Sequence, residues 1–180
     1  MQLPPQGATA GQPVRLPPRP ASLAGREALL AELDARLSAG DGPGPRIAAL
    51  CGLGGAGKTS TAVEYAHCHL AEVGVAWQFA AEDATVLAAG FGELAAQLGA
   101  RGLADTRDPV ASVHAVLARF PAPWLVIFDN AADLASVAGF LPPAGPGADH
   151  QPEPELASPC AGCCRARPGR GGRSPGQPHG

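Results

Sequence analysis

The sequence predicts an α/β protein with a parallel sheet and flanking helices. Short, mostly apolar runs at residues 46–51, 75–79 and 124–128 alternate with amphipathic helical patterns, as buried parallel strands and their crossover helices do. A glycine-rich segment, Gly52–Gly57, joins the first run to a helical pattern, and the last run ends in one acidic residue, Asp129.

Residues 1–20 hold six prolines and no helical or strand period, so they read as a disordered lead-in. Leu29, Leu30, Leu33 and Leu37 then form an i, i+1, i+4, i+8 stripe. This is an amphipathic helix opened by Ser22–Glu27 and closed by Gly40 and the Asp41-Gly42-Pro43 turn. Arg46–Cys51 is a buried strand, and residues 58–71 read as a helix. Val75–Phe79 is a second strand. Residues 82–99 are helical in pattern, with Val86, Leu87, Phe91, Leu94 and Leu98 on one side. A helix runs from Pro109 to Phe120, proline suiting its first turn. Trp124–Phe128 is the strongest strand, and a short helix near Asp133–Ala138 follows. Between Gly145 and Gly180 there are eight glycines, seven prolines, one leucine and no Val, Ile, Phe, Tyr, Trp or Met. Such a tail has nothing to add to a core and is expected to be disordered. The organisation is a lead-in at 1–20, one folded domain at 21–147, and a tail at 148–180.

Composition excludes several function classes. The 180 residues carry 13 basic and 16 acidic side chains, a net charge of −3, which does not suit a strongly basic nucleic-acid module. Aromatics are 4%, too few for a base-stacking surface. Arg165, Arg167, Arg170 and Arg173 make the tail mildly basic, but without aromatics it is a poor nucleic-acid site. No apolar run approaches the roughly 18 residues of a membrane span, so the chain reads as soluble and cytoplasmic. Gly, Pro, Arg and Ala, all with GC-rich codons, make up 93 residues, so alanine content carries little functional meaning. By contrast, Lys58 is the one lysine in the chain.

Of five cysteines, Cys51 and Cys68 read as small buried hydrophobes. Cys160, Cys163 and Cys164 form a CxxCC cluster without a second pair, short of the four ligands of a closed zinc site. Structural disulfides are not expected in a cytosolic chain. His67 and His69 lie two apart on a helix and do not share a face. Trp77 and Trp124 read as core, and Glu64 and Glu72 as solvated helix charges.

The chemistry lies in GLGGAGKT, Gly52–Thr59, which fits G-x-x-x-x-G-K-[ST]. A strand that turns sharply into a helix needs glycine. Its backbone N–H groups then converge on phosphate oxygens, helped by the helix N-terminus. Lys58 would place a charge on the β- and γ-phosphates, and the Thr59 hydroxyl would coordinate Mg²⁺. Asp129, at the end of an apolar strand, takes the Mg²⁺-organising Walker B position; the plainer alternative is a cap of the next turn. Asn130 stands where many ATPases carry a second carboxylate. An amide cannot accept a proton, so hydrolysis is expected to be slow and a nucleotide switch is favoured over a fast motor.

The arrangement resembles the NB-ARC-type STAND ATPases, bacterial signalling or regulatory proteins that often carry tetratricopeptide repeats. Leu23–Glu27, Ala49–Thr59, Ala62–Ala66, Val75–Trp77 and Trp124–Ala131 carry the likeness, which covers about residues 17–147. The resemblance implies a P-loop NTPase fold, ADP bound at rest and ATP when active, and self-association in the full-length protein. It implies nucleotide contacts at Gly52, Leu53, Gly54, Gly55, Ala56, Gly57, Lys58, Thr59 and Ser60, and Mg²⁺ at Thr59 and Asp129. Gly25 and Arg26 would border the adenine and ribose; alternatively, Arg26 and Glu27 are an exposed pair opening a helix.

The family pattern calls for one more apolar strand, ending in a Thr- and Arg-bearing sensor segment, after the Phe140–Pro143 turn. None follows. Its loss should leave a gap between the phosphate-loop and Walker B strands, with unpaired backbone on both sides. Back-translated with permitted codons and shifted by one base, residues 147–157 read as an apolar strand followed by Thr-Thr-Ser-Arg-Asn. The tail is therefore read as out of frame and the fold as an incomplete P-loop domain. Two other readings compete with the switch. A P-loop small-molecule kinase predicts an arginine-rich lid, whereas residues 80–120 hold only the dispersed Arg101, Arg107 and Arg119. A nonfunctional truncation product predicts no stable nucleotide site.

Overall fold

The three apolar runs become strands of a five-stranded sheet, the first of them at an edge. In the computed structural model the described residues are 12–21, 23–38, 45–99 and 108–143, with the backbone of 160–166. The elements in chain order are β1 (Val14–Arg15), α1 (Glu27–Ser38), β2 (Arg46–Leu50), α2 (Lys58–Cys68), β3 (Val75–Ala80), α3 (Ala84–Gln97), α4 (Pro109–Leu117), β4 (Trp124–Ala131), α5 (Leu134–Val137) and β5 (Cys160–Ala166). A 3-10 turn, Ala138–Phe140, follows α5. The strand order is β1-β3-β4-β5-β2. β1, β3 and β4 are parallel, whereas β5 is antiparallel to both β4 and β2. The protein is mixed α/β, with a parallel three-strand segment and helices on both faces.

Period-2 alternation sorts the strands between two cores. Val75, Trp77 and Phe79 of β3 and Trp124, Val126 and Phe128 of β4 pack with Leu87, Phe91 and Leu94 of α3 and Val113 and Leu117 of α4. The rings of Phe79 and Phe91 stack at 4.4 Å and Phe128 adds to the stack at 5.3 Å from Phe79; aromatic pairs of this kind contribute about 0.5–1.5 kcal/mol beyond their burial. Ala76, Leu125 and Ile127 face the other way, against Leu33 and Leu37 of α1 and Ala62, Tyr65 and Ala66 of α2. The leucine stripe expected of α1 is the face that packs.

Local capping sets the helix starts. The Asp83 side chain accepts from the N–H groups of Thr85 and Val86, so α3 begins after it. The helix expected from residue 82 is thus shorter, and Glu82 lies in the bend between β3 and α3. Val86, expected on the apolar side, is 53% exposed, because the capped start turns it outward. Asp108 caps α4, with Pro109 in its first turn. His114 of α4 donates from Nε2 to the Phe140 carbonyl at 3.0 Å and meets the Phe91 ring edge-on. Burial pushes its pKa down, against a smaller opposing pull from that carbonyl and Asp108.

Two expectations about the ends are corrected. The lead-in forms β1 and is tied down beyond it: Pro13 O accepts from Ala76 N, Gln12 donates to Leu70 and Val73 carbonyls, and Arg19 pairs with Glu64 at 2.6 Å. The proline-rich composition hid this, because a two-residue edge strand needs no period. Glu64 is not a simple solvated charge: Arg19 holds its carboxyl below the usual range. Residues 1–11 lie outside the described ones.

The second correction concerns the tail. Cys160–Ala166, expected to be disordered, forms β5 and fills the gap expected between β2 and β4. Its register runs from Arg46 opposite Arg165 to Leu50 opposite Ala161. Backbone pairing needs only donors and acceptors, so a strand without large apolar residues can still satisfy two exposed edges. Cys51, directly after β2, is disulfide-bonded, contrary to the reading as a buried thiol; Cys68 is a free thiol. The rest of the 148–180 tail lies outside the described residues. Among the described residues no helix is long and apolar enough to cross a membrane.

Candidate functional site

The glycine-rich segment leaves β2 at Leu50 and enters α2 at Lys58. Gly57, the residue before the helix, has φ +77°, and Gly52 has φ +145°. Side chains at both would be strained, which is why the turn needs glycine there. Residues 53–56 are exposed, Leu53 at 83%, so the loop tip is open to a ligand.

Lys58 bends back over the loop. Its Nζ donates to the Gly52 carbonyl at 2.8 Å and the Leu53 carbonyl at 2.9 Å. The ammonium is therefore held by two neutral acceptors that an anion would outcompete. Arg26, at the entry to α1, donates from Nη2 to the Ala56 carbonyl. This braces the far side of the loop, and Gly25 beside it is exposed with φ +70°. Ser60 lies in the first turn of α2, half-buried.

The same alternation that sorts the cores aims Asp129 at this loop. Asp129 follows Leu125 and Ile127 along the α2-facing side of β4, and α2 begins there with Thr59. Thr59 Oγ1 donates to Asp129 Oδ1 at 2.7 Å. The second carboxylate oxygen, Oδ2, accepts from Gln78 Nε2 at 2.9 Å. Gln78 was missed by the sequence reading. Its signal is parity: it follows Ala76 on the same face of β3, but that matters only once β3 is known to lie beside β4. Gln78 Oε1 is buried without a hydrogen-bond partner among the described residues.

Asn130 makes a different contact from Asp129. Its φ is +59°, the only positive value at a non-glycine among the described residues. Its Nδ2 donates to Glu82 Oε1 at 2.7 Å. The cause is a bulge: Phe128 pairs with Gly162 but Ala131 with Cys160, so Asp129 and Asn130 together oppose one residue of β5. Glu82 also escaped the sequence reading, having been placed inside a helix.

The structure thus brings together the loop, Arg26, Lys58, Thr59 and Asp129, and sends Asn130 to Glu82. Among the described residues no group of three or more His, Cys, Asp or Glu could hold a metal ion. Thr59 and Asp129 offer one hydroxyl and one carboxylate in contact. That donor set fits Mg²⁺ when the ion's other ligands are phosphate oxygens and water. Comparison with family models, curated proteins and solved structures returns no match.

Proposed function

We propose that this chain is an ADP- and ATP-binding module of the STAND signalling or transcription-regulating class, a P-loop domain acting as a nucleotide-dependent switch. One observation carries the reading: the glycine-rich turn ends in Lys58 and Thr59, and Thr59 meets the acidic end of β4 at Asp129. A loop of backbone N–H groups at a helix N-terminus, one lysine and a hydroxyl–carboxylate pair is the donor set that a nucleotide polyphosphate requires.

Each residue has a definite task in this reading. The backbone of Gly52–Gly57 cradles the phosphates. Lys58 exchanges the carbonyls of Gly52 and Leu53 for phosphate oxygens. Thr59 and Asp129 would hold Mg²⁺, which when bound neutralises charge on the β- and γ-oxygens. Gln78 holds the second Asp129 oxygen and so fixes the carboxylate's orientation. Arg26 keeps the loop's far carbonyl at Ala56 in place. A second carboxylate is missing at Asn130, so turnover is at most slow, as suits a switch.

Thermal unfolding with added ADP tests the reading. A ligand present at about 100 times its Kd stabilises the native state by roughly 2.7 kcal/mol, so the midpoint should rise clearly. Lys58→Ala should remove that rise while leaving the unliganded midpoint nearly unchanged, because among the described residues its ammonium bonds to loop carbonyls alone. A wild-type chain that folds but shows no rise with either ADP or ATP overturns the proposal.

A further inference from the structure

We infer that the Cys51 disulfide is a thiol-exchange site that sets the nucleotide affinity of the phosphate loop, holding the loop ready when oxidised and loosening it when reduced. The inference rests on the nucleotide-switch reading and goes beyond it, since it names a chemical signal that acts on that site.

Cys51 stands between the strand and the loop. It follows Leu50, the last residue of β2, and precedes Gly52, where the loop begins. It is disulfide-bonded, whereas Cys68 is a free thiol. The chain is therefore tied through a sulfur at the entrance of the loop. Its two neighbours show what that tie controls. Leu50 is buried in the core beneath α1 and α2. Gly52 has φ +145° and lends its carbonyl to Lys58 Nζ at 2.8 Å.

The tie matters because β2 is at an edge of the sheet, paired through its backbone with β5. The far end of the loop has its own anchors. Arg26 Nη2 donates to the Ala56 carbonyl, and Thr61 N donates to the Gly57 carbonyl at 2.9 Å. The near end has the disulfide as its covalent anchor. Breaking it gives Gly52 and the exposed residues 53–56 freedom that a bound polyphosphate must remove again. A segment ordered before binding costs less to bind, so the oxidised chain is the tighter binder. Cys51 is half-buried beside the exposed loop tip, which leaves the disulfide within reach of a thiolate.

The exchange balances with a dithiol as co-reactant. One thiolate of the dithiol attacks a sulfur of the disulfide, the S–S bond breaks, and the expelled sulfur takes a proton. The second thiolate then displaces the mixed disulfide. Two protein thiols result, Cys51 among them. The dithiol has given two electrons and two protons and leaves as a disulfide.

The test titrates the full chain with ADP by calorimetry, oxidised or reduced with dithiothreitol, well below both unfolding midpoints. The reduced chain should bind about 10-fold more weakly, the scale of ordering one backbone residue. Cys51→Ser should bind as the reduced chain does and ignore dithiothreitol, whereas Cys68→Ser should respond as wild type does. Urea unfolding separates a loosened loop from a lost fold: the reduced chain should still unfold in one cooperative transition. Equal affinity in the two states overturns the inference. So does a response to dithiothreitol that survives in Cys51→Ser. A reduced chain without a cooperative transition also overturns it, because the disulfide would then hold the whole fold instead of the loop. Failure of the switch reading looks different: neither ADP nor ATP binds in either state.

Discussion

Thr59 Oγ1 donates to Asp129 Oδ1 at 2.7 Å, joining residues 70 positions apart in the chain. The bond closes the turn after β2 onto the end of β4. It couples the two residues that the switch reading assigns to magnesium.

Thr59→Val and Asp129→Asn should therefore act on one contact. Each should weaken stabilisation by ATP with magnesium while leaving stabilisation by ADP without magnesium largely intact. The double variant should lose little more than the worse single one, because residues in direct contact are non-additive by about 0.5–3 kcal/mol. Thermal unfolding of the four proteins with each nucleotide completes the cycle. Fully additive losses would show that the two residues act separately.

Gly57→Ala should destabilise the chain even without nucleotide. A Cβ there has room, its nearest neighbour being Arg26 Nη2 at 3.5 Å. The cost is conformational, since φ is +77°, and about 1–2 kcal/mol is the penalty for an L-residue in that region. Gly54→Ala is the control: it has no positive φ and no atom within 4 Å of its Cβ. Its stability should change by less than about 0.5 kcal/mol. Urea titration of both variants measures the difference.

Ending the chain after Pro143 should expose both edges that β5 covers. The expected result is a broad unfolding transition and self-association by size-exclusion chromatography, as unpaired interior strands invite edge pairing. Cys51, directly after β2, is disulfide-bonded. Reduction should lower stability by about 2–4 kcal/mol, the usual contribution of a native disulfide. An identical transition for the shortened and full chains would remove β5 from the fold.

Stability should fall as the solution is acidified through the range of His114. Burial lowers its folded pKa below the ordinary 6.5, so the unfolded chain binds the proton first. Above the ordinary value both states are neutral and this contribution is fully present. It is lost as pH falls from there toward the depressed folded value, and then levels off. Urea midpoints between pH 7.5 and 5 should show this slope, and His114→Gln should flatten it. An unchanged slope in the variant would assign the loss to other groups.

Much of the candidate site was legible because it is local. The Gly52–Thr59 spacing, the helix after it and the acidic end of an apolar strand are all visible in short windows. Gln78 and Glu82 were not, for a physical reason. Gln78 acts through strand parity and Glu82 through a cap one residue later, and both matter only when β3 lies against β4. Asn130 is visible in the sequence as an amide directly after Asp129, but its contact with Glu82 depends on a bulge that only the pairing with β5 creates.

The sequence by itself determined the order of β2, β3, β4 and the helices among them, the leucine face of α1 and the glycine turn. These depend on periodicity and on dihedral preferences of near neighbours. The tertiary structure alone decided the strand order, the use of Val14–Arg15 and Cys160–Ala166 as strands, and the meetings of Thr59 with Asp129 and of Asn130 with Glu82. Those rest on hydrogen bonds between backbones distant in the chain. Because every residue but proline carries the same backbone donor and acceptor, no local pattern of side chains announces where such bonds will form.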